Sequence, residues 1–136
     1  MERKVKVYTD GGARGNPGPA AAGVVIFDEE GRLLAIDAKY LGETTNNQAE
    51  YQALELALEL LQKKDISRDI TCYLDSELIV KQLNGEYKVK NSDIAIVKKR
   101  IDSLSEFFEN IEFIHIRREE NKFADKLVNV ILDARE

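Results

Sequence analysis

Apolar and polar residues alternate at the start of the chain, a pattern typical of β-strands with one buried face. Val5, Val7 and Thr9 share one face of such a strand. A Gly- and Pro-rich segment and the turn sequence EEGR then divide the next part of the chain. The pattern predicts three strands joined in an antiparallel meander, over residues 4–10, 21–28 and 33–41.

From residue 45 the apolar spacing changes to the period of an α-helix. Thr45 is the expected N-cap, with Gln48 reaching back to it in a capping box, and the helix is predicted to end near residue 64. Further along, the pattern predicts a strand over residues 70–74, a short helix over 76–83 and a loop over 84–91. A longer helix over 92–109, a strand over 111–117 and a final helix over 121–132 follow. Because strands alternate with helices in this half, parallel pairing is expected there, and the fold class is α/β with a mixed five-stranded sheet flanked by helices.

The length and composition are those of one globular domain, residues 1–136. The chain has 43% hydrophobic and 33% charged residues, a globular balance. No stretch approaches the roughly 20 apolar residues of a transmembrane helix, and the first residues lack the apolar core of a signal peptide. We therefore expect a cytoplasmic protein with no membrane partner. A single cysteine, Cys72, excludes an internal disulfide, and a single histidine, His115, excludes a multi-histidine metal site.

The charge of the chain bears on nucleic-acid binding in two opposite ways. The net charge of −5 argues against a globally basic binder. Local patches, however, set the field that a phosphate backbone meets, and basic residues cluster at Lys88 and Lys90 and around Arg117 and Arg118. For the basic run at residues 98–100, in the middle of a predicted helix, a solvated helix face is the preferred interpretation.

Four acidic residues carry the candidate chemistry: Asp10, Glu50, Asp75 and Asp125. Asp10 ends the first predicted strand and Asp75 directly follows the fourth, so we expect both at strand tips, whereas Glu50 and Asp125 lie in the first turns of helices. Each acid alone has a simpler explanation as a turn or helix-start residue. Their combination, without a His or Cys cluster, favours a site for Mg²⁺, which prefers oxygen ligands.

Four ordered segments carry a resemblance to a known family: YTDGGARGNPGPAAAG (residues 8–23), TTNNQAE (44–50), YLDSELIVKQLNGEYKVKN (73–91) and ENKFAD (120–125). In these segments and their spacing the chain resembles the type 1 ribonuclease H family along essentially its full length. The resemblance implies a ribonuclease H-like sheet in strand order 3-2-1-4-5. It also implies endonucleolytic hydrolysis of the RNA strand of RNA–DNA hybrids, with two Mg²⁺ ions as cofactor, Mn²⁺ as an alternative, and 5′-phosphate and 3′-hydroxyl products.

The resemblance also implies roles for individual residues. Asp10 would bridge the two ions, Glu50 and Asp75 would bind chiefly the ion on the leaving-group side, and Asp125 would complete the site of the ion that carries the attacking water. Glu50 is also a candidate for sensing the RNA 2′-hydroxyl. The expected substrate contacts fall into three groups: hydroxyl sensing by the backbone of Gly11, Gly12, Ala13, Arg14 and Gly15 and by Ser76; minor-groove contacts by Asn16, Asn46, Asn47 and Gln48; and phosphate contacts by Lys88, Lys90 and Asn91.

Two departures from the family pattern limit which of the family's residue roles the resemblance implies for this chain. The chain lacks the basic, aromatic-bearing insertion of larger relatives and has no Trp. Arg118 occupies the place of a flexible His seven residues before the last acid, and we expect it to assist catalysis by binding phosphate.

Two alternative functions are a nuclease of the same fold that also cleaves double-stranded RNA and a catalytically silent nucleic-acid-binding module. Retention of all four acids argues against silence, because a pure binder gains by losing negative charge near phosphates. A monomer is the expected state.

Overall fold

A computed structural model describes residues 3–135 of the chain. Five strands form one sheet, and four α-helices and one 3₁₀ turn connect or flank them. The elements are β1 (Lys4–Ala13), β2 (Gly18–Asp28), β3 (Leu33–Thr44), α1 (Asn46–Lys63), β4 (Asp69–Leu74), α2 (Glu77–Leu83), α3 (Ser92–Ser105), β5 (Asn110–His115), the 3₁₀ turn Arg118–Glu120 and α4 (Lys122–Ala134).

The sheet has the strand order β3-β2-β1-β4-β5, which confirms the predicted order. β1 pairs antiparallel with β2, and β2 antiparallel with β3. β1 pairs parallel with β4, and β4 parallel with β5. The registers place Tyr8 opposite Tyr73, so the carboxyl-terminal parts of β1 and β4 lie side by side in the middle of the sheet.

The first strand is longer than the sequence pattern indicates. β1 continues through Ala13 and pairs there with β2, so Asp10 lies opposite Gly23 inside the ladder. The prediction that Asp10 ends a strand is therefore wrong. Two glycines in this region have a packing role, because a Cβ on Gly11 would lie 2.1 Å from the carbonyl oxygen of Ala49 in α1, and one on Gly23 would lie 2.6 Å from that of Ala124 in α4.

The core lies on both faces of the sheet. On one face α1 packs on β1 and β2, and α3 packs on α1; the buried cluster there includes Val5, Val7 and Cys72, which are fully buried. Cys72 is thus a small buried hydrophobe of the core. On the other face α4 packs on β2 through Ala21, Val128 and Leu132. Among the described residues, no helix is both long enough and apolar enough to cross a bilayer.

Several element ends differ from the predictions: β2 begins three residues earlier, β3 ends three residues later, and α4 ends two residues later. α3 stops at Ser105, and β5 begins at Asn110 and stops at His115. The carbonyl oxygen of Arg68 accepts hydrogen bonds from the backbone N–H groups of Glu109 (2.8 Å) and Asn110 (3.1 Å). These bonds hold residues 109 and 110 beside the start of β4, so α3 has already ended before residue 109, its predicted end. At the start of α1, Thr45 is the N-cap as predicted, since its side chain accepts from the N–H of Gln48 at 3.2 Å.

Candidate metal centre and nucleic-acid interface

Three of the four predicted acids meet at one point. Asp10 in β1, Glu50 in α1 and Asp75 just after β4 each offer a carboxylate oxygen, and these oxygens lie within 4.8 Å of one another. Asp10 and Asp75 come together because β1 and β4 are parallel neighbours. Asp10 is 8% exposed and Glu50 7%, and acids are rarely buried to this extent without a partner.

Specific hydrogen bonds fix two of these carboxylates. The backbone N–H of Gly11 donates to Glu50 Oε1 at 2.7 Å. The contact is possible because Gly11 has no Cβ to hold α1 away from β1. The side-chain amide of Asn121 donates to Asp75 Oδ2 at 2.9 Å and to the carbonyl oxygen of Thr9 at 2.8 Å. These contacts hold both carboxylates in fixed orientations toward Asp10.

Asn121 is a site residue that sequence reasoning missed. It is 1% exposed, and its side-chain oxygen has no hydrogen-bond partner among the described residues. The available signal was a lone Asn at the start of the last predicted helix, where Asn is also a common cap. Its side chain makes no cap bond in the structure. Its amide instead links β1 to the carboxylate that follows β4.

The electrostatics of the cluster oppose full ionisation. Burial raises the pKa of Asp10 far above its ordinary value, and repulsion from Glu50 and Asp75 adds to the effect. Burial also raises the pKa of Glu50, although hydrogen bonds from Asp10 and Gly11 oppose this. Buried carboxylates that repel one another favour binding of a cation, which neutralises them as a proton would. The all-oxygen donor set fits a hard divalent ion such as Mg²⁺.

Asp125 lies beside the three-carboxylate group. It is in the first turn of α4 as predicted, and it is more exposed than Asp10 or Glu50. Hydrogen bonding with its side chain acts to raise the pKa of Asp10, so Asp125 lies near Asp10. The structure therefore brings all four predicted acids to one site, with Asp125 on the more solvent-exposed side.

Arg118 lies in the 3₁₀ turn that precedes α4. Its positive charge acts to lower the pKa of Glu50, against the effect of burial, so its guanidinium is close enough to the acids to influence them. The neighbouring Arg117 pairs with Glu119 (3.6 Å) and Glu120 (3.5 Å). Over residues 3–135 no ion pair is recorded for Arg118 itself. The two adjacent arginines thus have different surroundings.

The predicted minor-groove residues cluster at the start of α1. The backbone N–H of Ala13 donates to Asn46 Oδ1 at 2.9 Å, and the N–H of Asn46 donates to Asn16 Oδ1 at 3.0 Å. These bonds connect the β1–β2 turn to α1. A cleft of about 430 Å³ borders the cluster, and among the residues that line it are Asn16, Asn47, Lys88, Lys90 and Asn91.

Several of the predicted substrate contacts already have partners within the fold. Gly11, Gly12 and Ala13 belong to β1, not to a loop. Gly15 lies in the turn with a positive φ of 99°, a conformation that favours glycine. Ser76 caps α2 by accepting from the N–H of Ile79 at 3.3 Å, and Asn91 caps α3 by accepting from two backbone N–H groups. Arg14 forms an ion pair with Asp133 in α4 at 2.6 Å.

A mixed sheet in this order, with carboxylates gathered beside the ends of two parallel strands, has the ribonuclease H-like fold. Residues 8–131 match the family model described as "Reverse transcriptase-like". A ribonuclease HI of Halobacterium salinarum is 39% identical over 96% of this chain and 65% of its own length. A bifunctional protein of Mycobacterium tuberculosis is 36% identical over 96% of this chain and 36% of its own length. The chain thus spans less than two thirds of these two curated relatives.

Solved structures narrow the class to a family. The crystal structure of ribonuclease H1 from Halobacterium salinarum superposes with a TM-score of 0.93 at 39% identity and covers 96% of this chain and 98% of that one. LC11-RNase H1, isolated from compost and solved in complex with an RNA/DNA hybrid, has a TM-score of 0.91 at 47% identity, with 97% and 99% covered. The chain therefore belongs to the ribonuclease H1 family.

Proposed function

We propose that the protein hydrolyses the RNA strand of RNA–DNA hybrids in a reaction that depends on divalent metal ions. The observation that carries this proposal is the group of three carboxylates, two of them buried, whose oxygens lie within 4.8 Å of one another, with Asp125 near its edge. The solved complex of LC11-RNase H1 with a hybrid supports the choice of substrate, because that protein is 47% identical over nearly the whole chain.

The four acids are the proposed metal ligands. Asp10 is central, since both Glu50 and Asp125 act on its pKa, and it is the residue best placed to bridge two ions. Glu50 and Asp75 complete one side of the site, and Asp125 the other. When bound, two Mg²⁺ ions would supply activation of a water molecule and stabilisation of the leaving oxygen, and Mn²⁺ is an alternative. The products are a 5′-phosphate and a 3′-hydroxyl end.

The surface beside the acids supplies the proposed hybrid contacts. Asn46, Asn47 and Gln48 lie at the amino-terminal end of α1 and Asn16 lies in the adjoining β1–β2 turn. Their amide groups can donate to and accept from base edges and sugar hydroxyls in a minor groove. Lys88 and Lys90 line the adjoining cleft and are the proposed phosphate contacts. An acidic chain with few such cations should bind weakly and with strong salt dependence.

Arg118 is the proposed replacement for a catalytic His. An arginine does not release its proton at neutral pH, so it cannot shuttle protons. Its guanidinium can instead form bidentate hydrogen bonds to a phosphate and stabilise the charge that develops on the phosphate during reaction. Support comes from its influence on the pKa of Glu50, a proposed metal ligand.

A cleavage assay on three duplexes tests the function. Hybrid, double-stranded RNA and double-stranded DNA of one sequence are incubated with the protein in Mg²⁺, in Mn²⁺ and in excess EDTA. We expect the RNA strand of the hybrid to be cut only with metal, and Asp10→Asn to abolish cutting. Comparable cutting of double-stranded RNA would establish a broader nuclease, and metal-dependent hybrid binding without cutting would establish a silent binding module.

A further inference from the structure

Asp125 has less support from the surrounding structure than two of the other acids of the site. Glu50 accepts a hydrogen bond from a backbone N–H in β1, and Asp75 accepts one from the buried amide of Asn121. Asp125 is more exposed and does not belong to the three-carboxylate group. A partly exposed ligand side chain on the first turn of a helix can adopt several rotamers unless a neighbour restricts it.

Asn129 supplies such a neighbour one turn further along α4. Its side-chain nitrogen lies 3.2 Å from the backbone oxygen of Asp125 and 3.4 Å from Asp125 Oδ2. The first contact draws the amide back along the helix, and the second places an N–H donor beside the carboxylate. An amide donor can orient the carboxylate without carrying a charge of its own.

The orientation of that amide is itself determined by Arg14. Arg14 Nη2 donates to Asn129 Oδ1 at 3.3 Å, and a guanidinium has donors only. The oxygen end of the amide must therefore face Arg14, and the nitrogen end must face Asp125. Asp133, one turn beyond Asn129, holds the same Arg14 nitrogen at 2.6 Å.

We propose that Asn129 is a positioning residue for Asp125 and that Arg14 holds Asn129 in the required orientation. This inference rests on the proposed function, since it assigns Asp125 to the metal centre. It links the β1–β2 turn, where Arg14 and Asn16 lie, to the fourth carboxylate through contacts between side chains. Loss of a residue that orients a metal ligand typically costs about 10- to 100-fold in metal affinity or activity.

Metal titration of hybrid cleavage tests this proposal. We expect Asn129→Ala to raise the Mg²⁺ concentration that gives half-maximal rate by about tenfold and to leave the KM for hybrid nearly unchanged. Asn129→Gln, which keeps the donor on a longer stem, should restore part of the loss. Val130→Ala is the matched control, because Val130 is the next residue of α4 and is 53% exposed; its Mg²⁺ requirement should equal that of the wild type.

A double-mutant cycle and a spectroscopic measurement separate positioning from a general structural effect. If Arg14 acts through Asn129, Arg14→Ala should raise the Mg²⁺ requirement in the wild type but add little to Asn129→Ala. The side-chain amide signals of Asn129 in a ¹H–¹⁵N spectrum should move in Asp125→Asn and in Arg14→Ala and stay in place in Val130→Ala. Melting temperatures in EDTA should agree between Asn129→Ala and Val130→Ala.

The outcomes distinguish this inference from the proposed function. A wild-type protein that fails to cut the hybrid at any metal concentration would overturn the function and with it the inference. A wild-type protein that cuts, together with an Asn129→Ala variant whose Mg²⁺ requirement matches that of Val130→Ala, would overturn the inference alone. Additive effects of the Arg14 and Asn129 substitutions would remove Arg14 from the proposal.

Discussion

Asp10 should make the metal-free protein less stable, so its removal is expected to stabilise the fold while it destroys activity. Burial, together with repulsion from Glu50 and Asp75, raises the pKa of Asp10 in the folded protein above its ordinary value of 3.8. The folded state therefore holds a proton that the unfolded state has released, and stability is lost as pH rises from about 4 toward the raised pKa. Asp10→Asn removes this cost, because an amide does not ionise.

The expected size of the effect follows from the ordinary pKa. Protonating a carboxyl group above that value costs about 1.36 kcal/mol for each pH unit, which gives a ceiling of about 4 kcal/mol at pH 7 for a group whose ordinary pKa is 3.8. We expect a gain in unfolding free energy of about 2–4 kcal/mol in EDTA. For a chain of this length the gain corresponds to a rise in melting temperature of about 5–15 °C.

Thermal unfolding with and without metal is the assay. In EDTA at pH 7, Asp10→Asn should melt above the wild type, and the difference should shrink at pH 5. Saturating Mg²⁺ should stabilise the wild type, by about 2.7 kcal/mol at a hundredfold excess over Kd, and have little effect on the variant. Glu112→Gln, which removes an exposed acid on β5, is the control and should change neither quantity. An Asp10→Asn variant that melts below the wild type in EDTA would refute the electrostatic argument.

Other contacts lead to three shorter predictions. Gly11→Ala should lower kcat at least about 100-fold, because its Cβ would lie 2.1 Å from the carbonyl oxygen of Ala49 and displace α1; wild-type kcat would contradict the packing argument. Lys88→Ala or Lys90→Ala should reduce the slope of log affinity against log salt by roughly 0.9, and an unchanged slope and affinity would exclude these lysines as phosphate contacts. Arg118→Ala should lower kcat by at least about tenfold, or ~1.4 kcal/mol of barrier, with little change in hybrid affinity, and Arg118→Lys should restore only part because Lys lacks the planar fork. Unchanged kcat in Arg118→Ala would assign this residue to the solvated surface.

Features that depend on residues close together in the sequence could be predicted, and features that depend on packing between distant segments could not. The strand order and the three clustered acids Asp10, Glu50 and Asp75 follow from alternation, capping and the family motifs. A Gly-Gly pair reads locally as a turn, yet residues 11 and 12 continue β1, since Gly11 allows α1 to approach the strand. Asn121 could not be recognised as the donor to Asp75 from local pattern, because the two residues are 46 positions apart.

The same close packing that builds the site also creates its need for a cation. A glycine at position 11 lets α1 approach β1, and another at position 23 lets α4 approach β2. These approaches bring the carboxylates of Glu50 and Asp125 to Asp10, where burial and mutual repulsion oppose ionisation. The hydrophobic contacts of α1 and α4 stabilise the fold enough to hold this unfavourable cluster together. A divalent ion then gains affinity from repulsion already present in the metal-free protein, which is why the same substitution at Asp10 should raise stability and abolish catalysis.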